Sequence, residues 1–388
     1  MAFSSRIPES LEPNTLTRLR GEILARGGEL IDLTVSNPTR CGFAYPEEQI
    51  REALSGAGVL SYDADPRGSA QARQAVAEHH GHGLRTEDLL LCSSTSEAYG
   101  WIFKLFGAPG DEVLVPTPSY PLFGWLARLE GLRAVPVPAF RFERWHLDLG
   151  GLEAAAGPRA KAVVVVNPNN PTGHFLSRQE WRGLCAFCGE RGLALVVDEV
   201  FADFVLDAPA DRLVSALSDP EPPCPVLVLS GLSKVALLPQ VKLGWIAVRG
   251  PGRERILEGL EFIADQYLPV SASAQAAAPA LLALAPRLRG QALGRIRSNL
   301  QHLNGRLGQA PAWSRLPVEG GWSVVLRRPA VEDDEGFAEE LLRRSGVAVH
   351  PGGFFGFPGE GHLVLSLLGP EEPFRQGVER LLRQAEVR

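Results

Sequence analysis

The residues best suited to chemistry in this chain stand at one kind of place, directly after short apolar runs. In VLVLSGLSKVALLPQVKLGW the run gives way to Ser230, Ser233 and Lys234, and Lys242 follows eight residues later. A desolvated lysine amine gives up its proton readily and can attack an aldehyde, whereas a lysine reaching the surface is only solvated. In LALVVDEVFADF, Asp198 and Glu199 follow a run too apolar to hold an unpaired carboxylate. Asp198 there either caps a helix or pairs with a protonated ring nitrogen. VVVVNPNNPTGHF sets Asn167, Asn170 and Thr172 in a segment stiffened by prolines and a glycine, which turn formation alone would explain. LLLCSSTSEAYGWIFKLFG places Ser94, Thr95 and Ser96 ahead of Ala98, Trp101, Ile102, Leu105 and Phe106, which keep helical spacing. Ser94 and Glu97 read as a capping box, and the free N–H groups and hydroxyls of such a helix start also suit a phosphate. VLVPTPSYPLFGW puts Tyr120 after another run, as a core ring or as one that stacks on a flat ligand.

These segments require a scaffold that brings strand ends together. The runs at 89–92, 113–116, 163–166, 194–197 and 226–229 are continuous, and amphipathic stretches lie between them. Strands buried on both faces and alternating with helices predict a mainly parallel sheet in a three-layer α/β/α domain. Ligands of such sheets collect at the carboxyl ends of the strands, where the residues above are found. Beyond about residue 270 an alanine- and leucine-rich helix opens a different texture. The expected division is a large domain over 46–270, a smaller α+β domain over 271–388, and an N-terminal segment, 1–45, packing with the smaller one. The 388 residues, 45% hydrophobic and 22% charged, suffice for two packed domains.

A net charge of −6 with mixed signs offers no field for nucleic acid, and no run approaches the roughly 18 apolar residues of a membrane span. MAFSSRIPES carries no export pattern, so a cytoplasmic location is expected. Cys41, Cys92, Cys185, Cys188 and Cys224 are few and scattered, which fits a reducing compartment. The Cys185–Cys188 CxxC reads as buried helix-face thiols in preference to a zinc or redox motif.

Taken in order, the motifs resemble those of the class I/II aminotransferases of fold type I, the aspartate aminotransferase-like enzymes that use pyridoxal 5'-phosphate (PLP), over about residues 31–366. The separations, 28 from Asn170 to Asp198 (198 − 170) and 36 from Asp198 to Lys234 (234 − 198), agree with that family's spacing. The resemblance implies that Lys234 holds PLP as a Schiff base and then moves the substrate proton. It implies that Asp198 pairs with the ring nitrogen, that Asn170 donates to the ring hydroxyl oxygen, and that Tyr120 stacks on the ring. Thr95, Ser96 and Lys242 would hold the phosphate, helped by Ser94 or Ser230. Tyr62, in SYDADPRG, would reach the phosphate from a second subunit, which implies a homodimer.

The resemblance has four gaps. Lys242 stands where an arginine is commonest, Gly231 where a phosphate-binding serine is usual, and Phe201 where a tyrosine would donate to the ring oxygen. Val364, in GHLVLSLLGPEE, replaces the arginine that grips the substrate carboxylate as a bidentate pair. Arg40, in the loop SNPTRCGF with Ser36, is the candidate replacement. The expected activity is transfer of an amino group between an amino acid or related amine and an oxo acid by a ping-pong route. The same lysine and carboxylate would serve a lyase, decarboxylase or racemase, and a non-catalytic PLP-binding protein is the remaining alternative.

Overall fold

A computed structural model describes residues 3–330 and 332–386. The outermost residues of the 1–45 and 271–388 segments lie outside the described residues. All five apolar runs form strands, and two further strands join them. In chain order these are β1 (Leu89–Cys92), β2 (Glu112–Thr117), β3 (Arg133–Pro138), β4 (Ala160–Val166), β5 (Ala194–Asp198), β6 (Val226–Gly231) and β7 (Gly244–Arg249). They make one sheet in the order β1-β7-β6-β5-β4-β2-β3. All of its strands run parallel except β7, which pairs antiparallel with both β1 and β6.

Alternation along the strands sends side chains to two cores. Leu89, Val163, Leu195 and Val228 pack with the helix Arg178–Arg191 on one face. Leu90, Val164, Val196 and Leu229 pack with Ala98 and Ile102 of helix α1 (Thr95–Phe106) on the other. Each buried Val or Leu contributes about 1.5–3 kcal/mol, so both faces resist exposure and the fold is the expected three-layer α/β/α arrangement.

A 36-residue helix, α2 (Ala272–Leu307), joins the two parts of the molecule. Ala274, Ala278, Leu281 and Ala285 belong to the sheet core, whereas Leu288, Ala292, Ile296 and Leu303 belong to a second core. Pro286, which lacks an amide proton, lies at the change-over between them. The second core covers a four-stranded antiparallel sheet of Ser314–Arg315, Ser323–Arg327, His362–Ser366 and His350–Pro351, in that order. Ile31–Asp32 pairs parallel with Val347–Ala348, and Ile31, Leu33 and Phe43 enter the same core. Of the strand-like IDLTVS only Ile31 and Asp32 pair, because Asp32 Oδ1 accepts from the Thr34 amide and turns the chain. Cys185 and Cys188 share the sheet core with Cys224, and all five cysteines are free and buried. Among the described residues no helix is long and apolar enough to cross a membrane.

Candidate active site

The carboxyl ends of β4, β5 and β6 open onto a cleft of about 620 Å³. Eight of the residues singled out from sequence line it: Ser36, Thr95, Tyr120, Asn170, Asp198, Phe201, Ser233 and Lys234. Val166, Val200 and Trp322 complete the wall. Its wall sets the apolar side chains Val166, Val200, Phe201 and Trp322 among polar groups that converge on the same space, as a small-molecule site requires.

Asp198 is the last residue of β5 and is 5% exposed. No helix follows it, so it is not an N-cap; its Oδ1 instead accepts from the Val200 amide at 3.0 Å. Its Oδ2 accepts from the Tyr99 hydroxyl at 3.0 Å. Burial raises its pKa from 3.8 to about 6, against the opposing pull of these two donors and of the Lys234 charge. Among the described residues no cation forms an ion pair with it.

Lys234 follows β6 in a single helical turn, Leu232–Val235. Its Nζ stands 5.2 Å from the centroid of the Trp322 ring. Burial pushes its amine below the ordinary lysine range, and the Asp198 carboxylate opposes this. Phe201 packs edge-on against Trp322, with centroids 4.9 Å apart. Asn170 Oδ1 accepts from Ser323 Oγ at 3.3 Å, which ties the turn after β4 to the small sheet.

The start of α1 forms the end wall of the cleft. Ser94 Oγ accepts from the Glu97 amide at 3.2 Å, as a capping box requires, but the Glu97 carboxylate accepts from Ser93 and not from Ser94. Thr95 lines the cleft and Ser96 is half-buried in the first turn. Lys242 is exposed and sits two residues before Gly244. A Cβ on Gly244 would lie 3.3 Å from the Ser94 carbonyl carbon, so β7 brings this region against the helix start.

Other expected residues lie elsewhere. β6 runs through Gly231, two residues beyond the VLVL run, so Ser230 is inside the strand and 1% exposed. It lines a separate cavity with His79 and Glu199, and it is not brought to the Lys234 cleft. A Cβ at Gly231 would meet Leu243 O at 3.0 Å and Gly244 Cα at 3.1 Å, so the β6–β7 pair is closed around a residue without a side chain. Tyr62 is 70% exposed and Arg40 is also exposed; neither lines the cleft. Val364 is 2% exposed, packed among Trp145, Leu316, Val325 and Phe357. Tyr99 and Trp322 join the site through tertiary packing alone, Tyr99 from one turn into α1 and Trp322 from the residue just ahead of the strand Ser323–Arg327.

The family model for class I and II aminotransferases matches residues 29–381. This chain belongs to that family. The alanine aminotransferase of Mycobacterium tuberculosis is 27% identical to this aminotransferase over 370 residues, covering 92% of this chain and 86% of the relative. The arginine–pyruvate transaminase of Pseudomonas aeruginosa is 29% identical over 367 residues, covering 92% and 90%. The alanine aminotransferase of Pyrococcus furiosus superposes over the whole of both chains with a TM-score of 0.89 and 25% identity. The aspartate aminotransferase of Thermus thermophilus with maleate gives 0.84 over 99% of each chain, also at 25% identity. The chain is thus an aminotransferase of fold type I, in a family that works with PLP.

Proposed function

We propose that this aminotransferase holds PLP in the Lys234 cleft and uses it to move an amino group from an amino acid or related amine to an oxo acid in two half-reactions. The observation that carries this reading is a buried carboxylate that forms no ion pair among the described residues, beside a half-buried, deprotonation-prone amine, Asp198 and Lys234, in a cleft that ends on a helix start. This donor set fits PLP: a carboxylate for the ring nitrogen, an amine for the aldehyde, an aromatic ring in Tyr120, and a hydroxyl-bearing helix start for the phosphate. When bound, PLP supplies an electron sink for the substrate's α-carbon bonds.

The protein's own groups do the rest. Lys234 carries the cofactor and moves the proton at the substrate α-carbon, a role open to it because its amine is held below the ordinary lysine range. Asp198 holds the proton on the ring nitrogen. Asn170 donates through its amide to the ring hydroxyl oxygen, and Phe201, having no hydroxyl, leaves that oxygen with one donor fewer. Thr95 and Ser96, with the first amides of α1 and the Lys242 charge, take the phosphate. Ser94 contributes mainly by capping that helix.

Tyr62 belongs to the site of a second subunit in this reading. It is exposed beside Leu60, and Phe262, Tyr267 and Leu268 are exposed on the neighbouring helix end. Arg67, in the Tyr62 loop, pairs with Glu261 of that helix at 2.6 Å. A surface apolar to this extent suits an isologous homodimer contact. Five free cysteines agree with a cytoplasmic location.

With Val364 sealed in an apolar cluster, a substrate carboxylate needs another cation. Arg40 has none of the described ion pairs and stands four residues after Ser36, which lines the cleft. Arg40→Ala should raise KM for amino acid donors about 10- to 100-fold, the scale of one hydrogen bond to a charged group, with PLP still bound. An unchanged KM in steady-state assays removes Arg40 from the site.

The reading as a whole is tested by adding a panel of amines and amino acids to the purified holoenzyme. The visible band of the bound cofactor should disappear as an oxo product forms, and an oxo acid should then restore it. Ammonia or carbon dioxide in place of the oxo product would point to a lyase or decarboxylase. A band that no amine changes would contradict catalysis.

A further inference from the structure

Tyr99 lies one turn into α1, on the face turned toward the sheet, and is 1% exposed. Its ring is fixed on two sides. It meets Phe123 in a T-shaped contact at 5.1 Å between centroids and Phe103 in a tilted one at 5.9 Å. Phe123 in turn meets Tyr120, which lines the cleft, at 5.6 Å. The one polar group on this ring donates to Asp198 Oδ2 at 3.0 Å. Burial and the adjacent carboxylate push the Tyr99 phenol well above its ordinary range, so it stays a donor at any working pH.

Asp198 is therefore held from two directions, by the Val200 amide on Oδ1 and by Tyr99 on Oδ2. Each carboxylate oxygen accepts two hydrogen bonds, so one lone pair on each stays free for a ligand. Burial favours the neutral acid at this place. Of the three influences that oppose it, the Lys234 charge changes as Lys234 does chemistry, whereas the two donors are constant.

We propose that Tyr99 is a positioning residue for the reaction: through its hydrogen bond it fixes the Asp198 carboxylate in orientation and keeps it ionised for the cofactor. This rests on the reading of Asp198 given above. Phe201 has no hydroxyl to give to the cofactor, and the buried tyrosine hydroxyl of this site serves the carboxylate end instead.

The test is Tyr99→Phe in the holoenzyme. It removes one oxygen and leaves the contacts with Phe103 and Phe123, so its thermal unfolding should stay close to that of the unaltered protein. We expect kcat to fall about 10- to 100-fold, as for loss of a hydrogen bond to a charged group, with KM for the amino donor little changed. The acid limb of the kcat profile should move to higher pH, because a carboxylate with one donor fewer keeps its proton further up the scale. Tyr99→Phe should also weaken PLP binding, but not further in an Asp198→Asn chain, where there is no charge left to stabilise.

An active unaltered protein beside a Tyr99→Phe variant with the same kcat and acid limb would overturn this proposal alone. So would an equal loss of PLP affinity in both backgrounds, since the effect would then belong to packing. An unaltered protein that moves no amino group overturns the underlying reading and this one with it.

Discussion

Lys234→Ala is expected to lower kcat by about 10⁴-fold, the upper end of what a positioned acid/base group contributes, because the same residue also supplies the nucleophilic amine. Two features of the site make this loss specific to chemistry. Burial destabilises the charged amine, so its removal takes away an unfavourable group and should not lower the unfolding temperature. The other groups of the cleft, Asp198, Asn170, Tyr120 and Thr95, do not depend on Lys234 for their positions, so PLP should still bind without covalent attachment. A small primary amine added to the variant should restore part of the proton transfer. Steady-state rates with and without that amine, beside a melting curve, check the prediction; a variant retaining a tenth of the activity would contradict it.

Asp198→Asn carries the second large effect, and it has opposite signs in activity and stability. Removing a preorganised charge from a dry site lowers rates about 10²- to 10³-fold, and here the charge faces the group that must stay protonated. Asn is nearly isosteric and can still accept from the Val200 amide. Without ligand the native carboxylate is a liability. Its folded pKa of about 6 lies above the ordinary 3.8, so between those values the folded chain keeps a proton that the unfolded chain releases. Stability contributed by this group is present below pH 3.8, falls as pH rises toward 6, and stays lost above it. The Asn variant does not ionise. Its ligand-free form should therefore match or exceed the unaltered protein in stability at pH 7, with the difference shrinking as pH falls through that window. Urea unfolding at pH 4 and pH 7 measures this, and a less stable variant at pH 7 would contradict it.

The parallel part of the fold is visible in the sequence because strands buried on both faces must be apolar without interruption, as at 163–166 and 194–197. The two strands that escape notice lack that mark. Arg133–Pro138 carries two prolines, which a strand tolerates at the sheet edge where β3 lies. Gly244–Arg249 begins with a glycine and inserts antiparallel between β1 and β6, a pairing that no local pattern specifies. The same limit applies to the site. Residues just beyond an apolar run, such as Asp198 and Lys234, are placed by the run itself. Ser230 is misplaced because β6 outlasts its apolar run by two residues, and the alternation of the strand then turns Ser230 toward another cavity. Tyr99 and Trp322 reach the site through tertiary packing, from a helix face and from the small sheet, and their neighbours in sequence give no sign of it.

The central claim is that Lys234 carries the cofactor. Reduction of the PLP-loaded protein with borohydride fixes a Schiff base as a stable secondary amine, and peptide mass mapping then locates the pyridoxyl group. The account predicts a single label, on the peptide containing Lys234, that is absent from Lys234→Ala. A label on any other lysine, or a loaded protein that acquires none, would contradict it.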